Sequence, residues 1–203
     1  MRFQDRLLIG AASVFALATT SMATIGPAAT TWAAETDRDN TAQATAAPAT
    51  LRLPLTPSSA QLAACMPNAR VNVAVRLTTD RIGYDLFTIT ARHLPPNRDY
   101  TVFLLEQAGS PFGAAEYIGD VHTNAYGYGR NTFGLIVEEA FSSTLVNGTR
   151  VRVDLNRVGM WFADPADDDF CLGAGSPVTP FDGDNAAGVQ AFNSANAAPL
   201  PAP

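Results

Sequence analysis

Between about Cys65 and Phe192, apolar and polar side chains alternate along the chain with a period of two. Val71, Val73, Val75 and Leu77 fall on one side, with Asn72, Ala74 and Arg76 on the other; Val151, Val153 and Leu155 alternate with Arg150, Arg152 and Asp154. Successive side chains of an extended chain point to opposite faces, so this pattern predicts half-buried β-strands. Runs of the same kind cover Tyr84–Ala91, Tyr100–Leu105, Tyr117–Thr123, Gly129–Val137 and Val158–Phe162. Val102 to Leu105 is apolar on both sides, as expected of a central strand. Turn chemistry separates the runs, in Asp80-Arg-Ile-Gly83, Pro95-Pro96-Asn97, Asn124-Ala-Tyr-Gly127 and Asn147-Gly148. About seven short strands punctuated in this way predict an all-β antiparallel β-sandwich. One stretch, Glu138–Leu145, reads as a short helix.

The flanks differ from this core. Arg2 and Arg6 followed by an uncharged, largely apolar and small-residue run predict a secretory signal peptide over residues 1–34, with small residues suited to cleavage after Ala23 or Ala33. Residues 35–64 are rich in Ala, Thr, Pro and Ser and predict a disordered tether; residues 193–203 repeat that composition and predict a disordered tail. Residues 65–192 form the sandwich domain. The export signal places the mature chain outside the cytoplasm, in the cell envelope or extracellular space, with no stable membrane insertion once the signal is cleaved. In that setting Cys65 and Cys171, the only cysteines of the chain, are expected to form a disulfide.

Composition removes several function classes. Thirteen basic residues, all arginine, stand against 19 acidic ones, for a net charge of −6, which disfavours nucleic acid as a partner. Two cysteines and two histidines are too few for a four-ligand Cys/His zinc site. No Gly-rich phosphate cradle and no Gly-x-Ser-x-Gly elbow occurs.

The segment His93-Leu94-Pro95-Pro96-Asn97-Arg98-Asp99-Tyr100-Thr101-Val102 resembles the corner of fibronectin type III and related immunoglobulin-like sandwiches. In that family a Leu, a Pro two residues on and a Tyr six residues on lead into a strand, the pattern of Leu94, Pro96 and Tyr100 here. The resemblance implies an immunoglobulin-like sandwich used as a spacer or adhesion module without catalysis. It also implies that the Tyr100 hydroxyl bonds backbone across the corner. It covers about ten residues, so sandwich architecture is what it carries over.

Two constellations remain as ligand sites. Asp164, Asp167, Asp168, Asp169, Asp182 and Asp184 crowd together after Arg157, the last basic residue. Carboxylates this close repel, and either solvent or a hard cation must screen them, so they form a candidate Ca²⁺ site. Tyr126 and Tyr128, set among glycines, are candidate ligand contacts for a sugar or a protein. No catalytic residue is assigned, and no cofactor beyond that candidate Ca²⁺. The sequence therefore predicts an exported, non-catalytic β-sandwich module with a structural or protein-interaction role. A Ca²⁺- or carbohydrate-binding module is the first alternative and a small secreted hydrolase the second.

Overall fold

The computed structural model describes residues 49–181 and 185–202, and the predicted signal peptide and residues 35–48 of the predicted tether lie outside the described residues. Twelve strands follow one another: β1 Thr50–Pro57, β2 Arg70–Arg76, β3 Asp85–Arg92, β4 Asp99–Leu105, β5 Ala115–His122, β6 Gly129–Leu135, β7 Phe141–Val146, β8 Thr149–Asp154, β9 Arg157–Phe162, β10 Thr179–Phe181, β11 Asn185–Ala187 and β12 Gln190–Asn193. Among the described residues three short α-helices, α1 Ala60–Cys65, α2 Thr79–Ile82 and α3 Asp169–Leu172, interrupt them.

Eight of the strands hydrogen-bond in the order β5-β4-β9-β12-β1-β2-β3-β6, every pair antiparallel. β1 is the seam between two four-stranded layers. Thr50 to Leu55 pair with β2, whereas Thr56 and Pro57 pair with Asn193 and Phe192 of β12. At the far side β5 and β6 meet through the bridge between Thr123 and Gly129. β1, β2 and β3 follow one another as a meander, with α2 in the β2–β3 connection, and β6 joins its edge after the chain has passed through β4 and β5; an immunoglobulin sheet would instead place the fifth strand beside the second.

Alternation explains the core. Leu53, Leu55, Val71, Val73, Val75, Phe87, Ile89 and Ala91 of the first layer are buried against Tyr100, Val102, Leu104, Val158, Met160, Phe162 and Phe192 of the second. β4 is covered on its other side too, where Phe103 and Leu105 pack with Trp161 and Ala187. The Trp161 ring meets Phe103 edge-on at 5.4 Å and Phe112 at 5.0 Å between centroids.

Several expectations are corrected. Thr50–Pro57 is a paired strand and not part of a tether. Leu51, Leu53 and Leu55 alternate as in the other strands, and Pro54 is tolerated because β1 has a neighbour on one side only over most of its length. Glu138–Leu145 is not helical: a 3₁₀ turn, Val137–Glu139, leads into β7, which is paired with β8. The β-branched and aromatic residues of Phe141–Val146 favour the strand. Among the described residues this hairpin pairs with no other strand, and Phe141, Leu145, Val146 and Val151 are exposed, with the Arg152 guanidinium 4.0 Å from the Phe141 ring centroid. The C-terminal stretch is not frayed over its described part: Ser194 and Leu200 are buried and the Leu200 amide donates to the Asn156 carbonyl at 2.9 Å.

Cys65 and Cys171 are bonded, with their Cα atoms 5.6 Å apart, and the bridge fastens α1 to α3.

Candidate functional site

The outward positions of the first layer follow from the same alternation that fills the core. Those that meet are Thr50 and Arg52 on β1, Ala74 and Arg76 on β2, Leu86, Thr88, Thr90 and Arg92 on β3, and Arg130 and Thr132 on β6; Arg70 and Asn72 continue the β2 row, with the Arg70 guanidinium donating to the Pro67 and Ala69 carbonyls at 3.2 and 2.7 Å. With Tyr128 the residues that meet line an open concavity of about 560 Å³. All four arginines of this lining are exposed, and none of the lining residues is acidic. Among the described residues none of the four forms an ion pair with a carboxylate. The Thr88 and Thr132 hydroxyls bond each other at 2.9 Å, which fixes the floor between them. In a chain of net charge −6 this face is a local reversal of sign, and planar guanidinium forks are suited to phosphate, sulfate or carboxylate oxygens.

The tyrosine hairpin borders this face. Asn124 organises its turn by accepting the amides of Tyr126 and Tyr128 at 2.9 and 3.1 Å. Gly127 sits at φ +69°, and a Cβ there would run into the Leu94 carbonyl oxygen, so the turn needs glycine. The two tyrosines part company. Tyr126 is 89% exposed at the tip, whereas Tyr128 folds back, with the Arg92 guanidinium 5.3 Å from its ring centroid.

The corner from Leu94 to Tyr100 is clasped by a residue that the sequence pattern does not single out. The buried Thr123 hydroxyl donates to the Pro95 carbonyl at 2.7 Å and accepts from the Arg98 amide at 2.9 Å. Leu94 is buried as expected, but among the described residues the Tyr100 hydroxyl has no hydrogen-bond partner. Its ring instead packs on Phe162 at 5.2 Å. Burial raises the Tyr100 phenol well above its usual range; Asp167 adds to the rise and Arg98 opposes it.

The acidic run has been divided among separate tasks. Asp164 caps the 3₁₀ turn Pro165–Asp168 by accepting the Ala166 amide at 2.8 Å. Asp167 pairs with Arg98 at 2.8 Å, and burial still lifts its carboxyl above the ordinary value, with Asp164, Asp99 and Asp168 contributing in the same direction. Asp168 is buried and accepts from the Val189 amide at 2.8 Å and from the Ser176 hydroxyl. Asp169 opens α3, while Asp182 and Asp184 lie outside the described residues. No three Cys, His, Asp or Glu side chains among the described residues are grouped as a metal shell. The cation that answers part of the crowding is Arg98, seven positions before β4 ends and far from the run in sequence.

Other titratable groups sit apart from the arginine face. His122 Nδ1 lies 2.9 Å from Asp99 Oδ1 across β5 and β4, with both side chains largely exposed. Tyr117 donates to Asp120 at 2.7 Å, and burial together with that bond pushes its phenol up to about 12. A second concavity, of about 410 Å³, lies beside the disulfide between Cys65–Asn68, the His93–Pro96 corner and Phe170.

Sequence reasoning missed the arginine–threonine face, although arginine and threonine recur at outward positions of four runs. What hides it is pairing: which runs become neighbours is set by the ladder, and the β1 run lies inside a stretch whose composition predicts a tether. Comparison with protein-family models, curated proteins and solved structures finds no match to this chain.

Proposed function

We propose that this chain is an exported, non-catalytic β-sandwich module that works by binding an anionic partner through the outer face of β1, β2, β3 and β6. The observation that carries this reading is a concavity lined by four exposed arginines and by no acidic residue, in a chain with an overall negative charge. Like charges held together on a rigid sheet repel, and an anion relieves that repulsion. Export is supported by the basic and apolar N-terminal pattern and by the Cys65–Cys171 bond, which persists in oxidising compartments. A binding role is favoured over chemistry because the lining holds donors and hydroxyls but no imidazole, carboxylate or thiol to act as a base or nucleophile.

A ¹⁵N-labelled sample titrated with sodium sulfate, against sodium chloride at matched ionic strength, tests the site. Sulfate should shift the resonances of Arg52, Arg76, Arg92, Arg130 and the threonines between them. Shifts elsewhere, or none beyond those caused by chloride, would remove the reading. N-terminal sequencing of the protein recovered from culture medium tests export.

A further inference from the structure

Resting on that anion-binding reading, we infer that the ligand is a linear anionic polysaccharide, carrying sulfate or carboxylate groups, that lies diagonally across the sheet. The register sets the geometry. Arg76 pairs with Thr50 and Arg52 with Ala74, so Arg52 and Arg76 stand on adjacent strands one outward step apart. Arg130 pairs with Thr90, and Arg92 is the next outward residue after Thr90, which repeats the same arrangement on β3 and β6. With about 4.8 Å between strands and about 6.7 Å between outward positions on one strand, each pair spans about 8 Å. The same spacings place the two pairs about 16 Å apart, at opposite corners of the face.

One sulfate or phosphate can engage one pair. Engaging both requires charges repeated along a chain, with something uncharged between them. The protein offers the matching sequence of groups, because Thr88 and Thr90 lie on the diagonal and present hydroxyls suited to the hydroxyls of a sugar. Tyr128 holds the Arg92 guanidinium over its ring, which lowers the ordering entropy that arginine would otherwise lose on binding. Nucleic acid fits less well. The concavity is lined by a single aromatic ring, Tyr128, whereas single-stranded nucleic acid binds over successive rings, and four arginines are few for a duplex, whose affinity rests on neutralising many phosphates.

Calorimetric titration of the oxidised mature chain decides it. The probes are heparin oligosaccharides shorter and longer than the diagonal, polygalacturonate, dextran and a DNA duplex. The variants are R52Q/R76Q and R92Q/R130Q, with circular dichroism to show that each is folded. The long heparin fragment or polygalacturonate should bind with steep salt dependence, and each double variant should weaken it at least tenfold. The short fragment should bind at least tenfold more weakly than the long one, and dextran should not bind. Sulfate shifts at the face without tighter binding of either long polysaccharide would overturn the polysaccharide while leaving the anion face intact. Equal or tighter binding of the duplex, or sensitivity to only one arginine pair, would overturn it as well. Absence of the sulfate shifts would show that the underlying anion-binding reading had failed.

Discussion

Asp85 at the start of β3 is 2% exposed, and its carboxylate gathers three segments. One oxygen accepts the Thr78 amide at 2.8 Å, the Thr79 amide at 3.1 Å and the Thr79 hydroxyl at 2.7 Å; the other accepts the Val137 amide at 3.1 Å. Burial alone would raise its pKa, but the Thr79 hydroxyl and the Thr78, Val137 and Thr79 amides outweigh it and hold the carboxyl below its ordinary value. Asp85→Ala removes all four acceptor contacts and strands two buried amides, those of Thr78 and Val137. Each stranded donor costs about 1–3 kcal/mol, so the variant should lose about 3–5 kcal/mol at pH 7. For a domain of this size that corresponds to a fall in Tm of about 10 °C or more. The stabilisation belongs to the ionised form, whose folded-state pKa lies below the unfolded value of about 3.9. It is therefore complete above that pH and is lost as the pH falls through the folded-state pKa. Urea unfolding of both proteins from pH 7 down to pH 2 measures this directly. A difference under about 1 kcal/mol at pH 7, or one that stays constant through the acid range, would refute the assignment.

Three further outcomes follow from the packing. Replacing Cys65 and Cys171 by alanine opens a connection of 106 positions and should cost about 4–5 kcal/mol, measured by urea unfolding against the oxidised parent; a loss below about 1 kcal/mol would show that the bridge does not restrain the unfolded chain. Gly127→Ala should destabilise by about 2–4 kcal/mol through its positive φ and the collision with the Leu94 carbonyl, with the largest amide shifts at residues 93–98 and 123–128; a neutral change would discount that contact. Leu200→Ala should cost about 2–4 kcal/mol in thermal or urea unfolding because this side chain is 2% exposed, whereas a residue of a frayed tail would cost nothing.

Fold class was legible because strand alternation is local. All seven runs read from the chain are strands, and β4, apolar on both sides, is a central one between β5 and β9. The errors arose where composition was allowed to outweigh period. Leu51, Leu53 and Leu55 carried the alternation of β1 inside a Pro- and Thr-rich stretch, and Leu200 is a single large apolar residue among alanines and prolines. Strand propensity also prevails at Phe141–Val146, within the stretch that reads as a short helix from the chain.

The candidate site was a different kind of problem. Alternation says that Arg52, Arg76, Arg92, Arg130 and their threonines face outward, since each follows from its own strand's period of two. It does not say that they share a face, because β6 lies beside β3 only after the chain has crossed to the other layer and returned, and β1 meets β2 only across the α1 connection. The same holds for Thr123 beneath the corner and for Arg98 against Asp167, contacts that join positions far apart in the chain. Periodicity is a property of neighbouring residues and can be read along the polypeptide. Which outward rows stand side by side, and hence where unlike charge collects, depends on the order and register in which strands hydrogen-bond, and those are chosen by burial of the whole core at once.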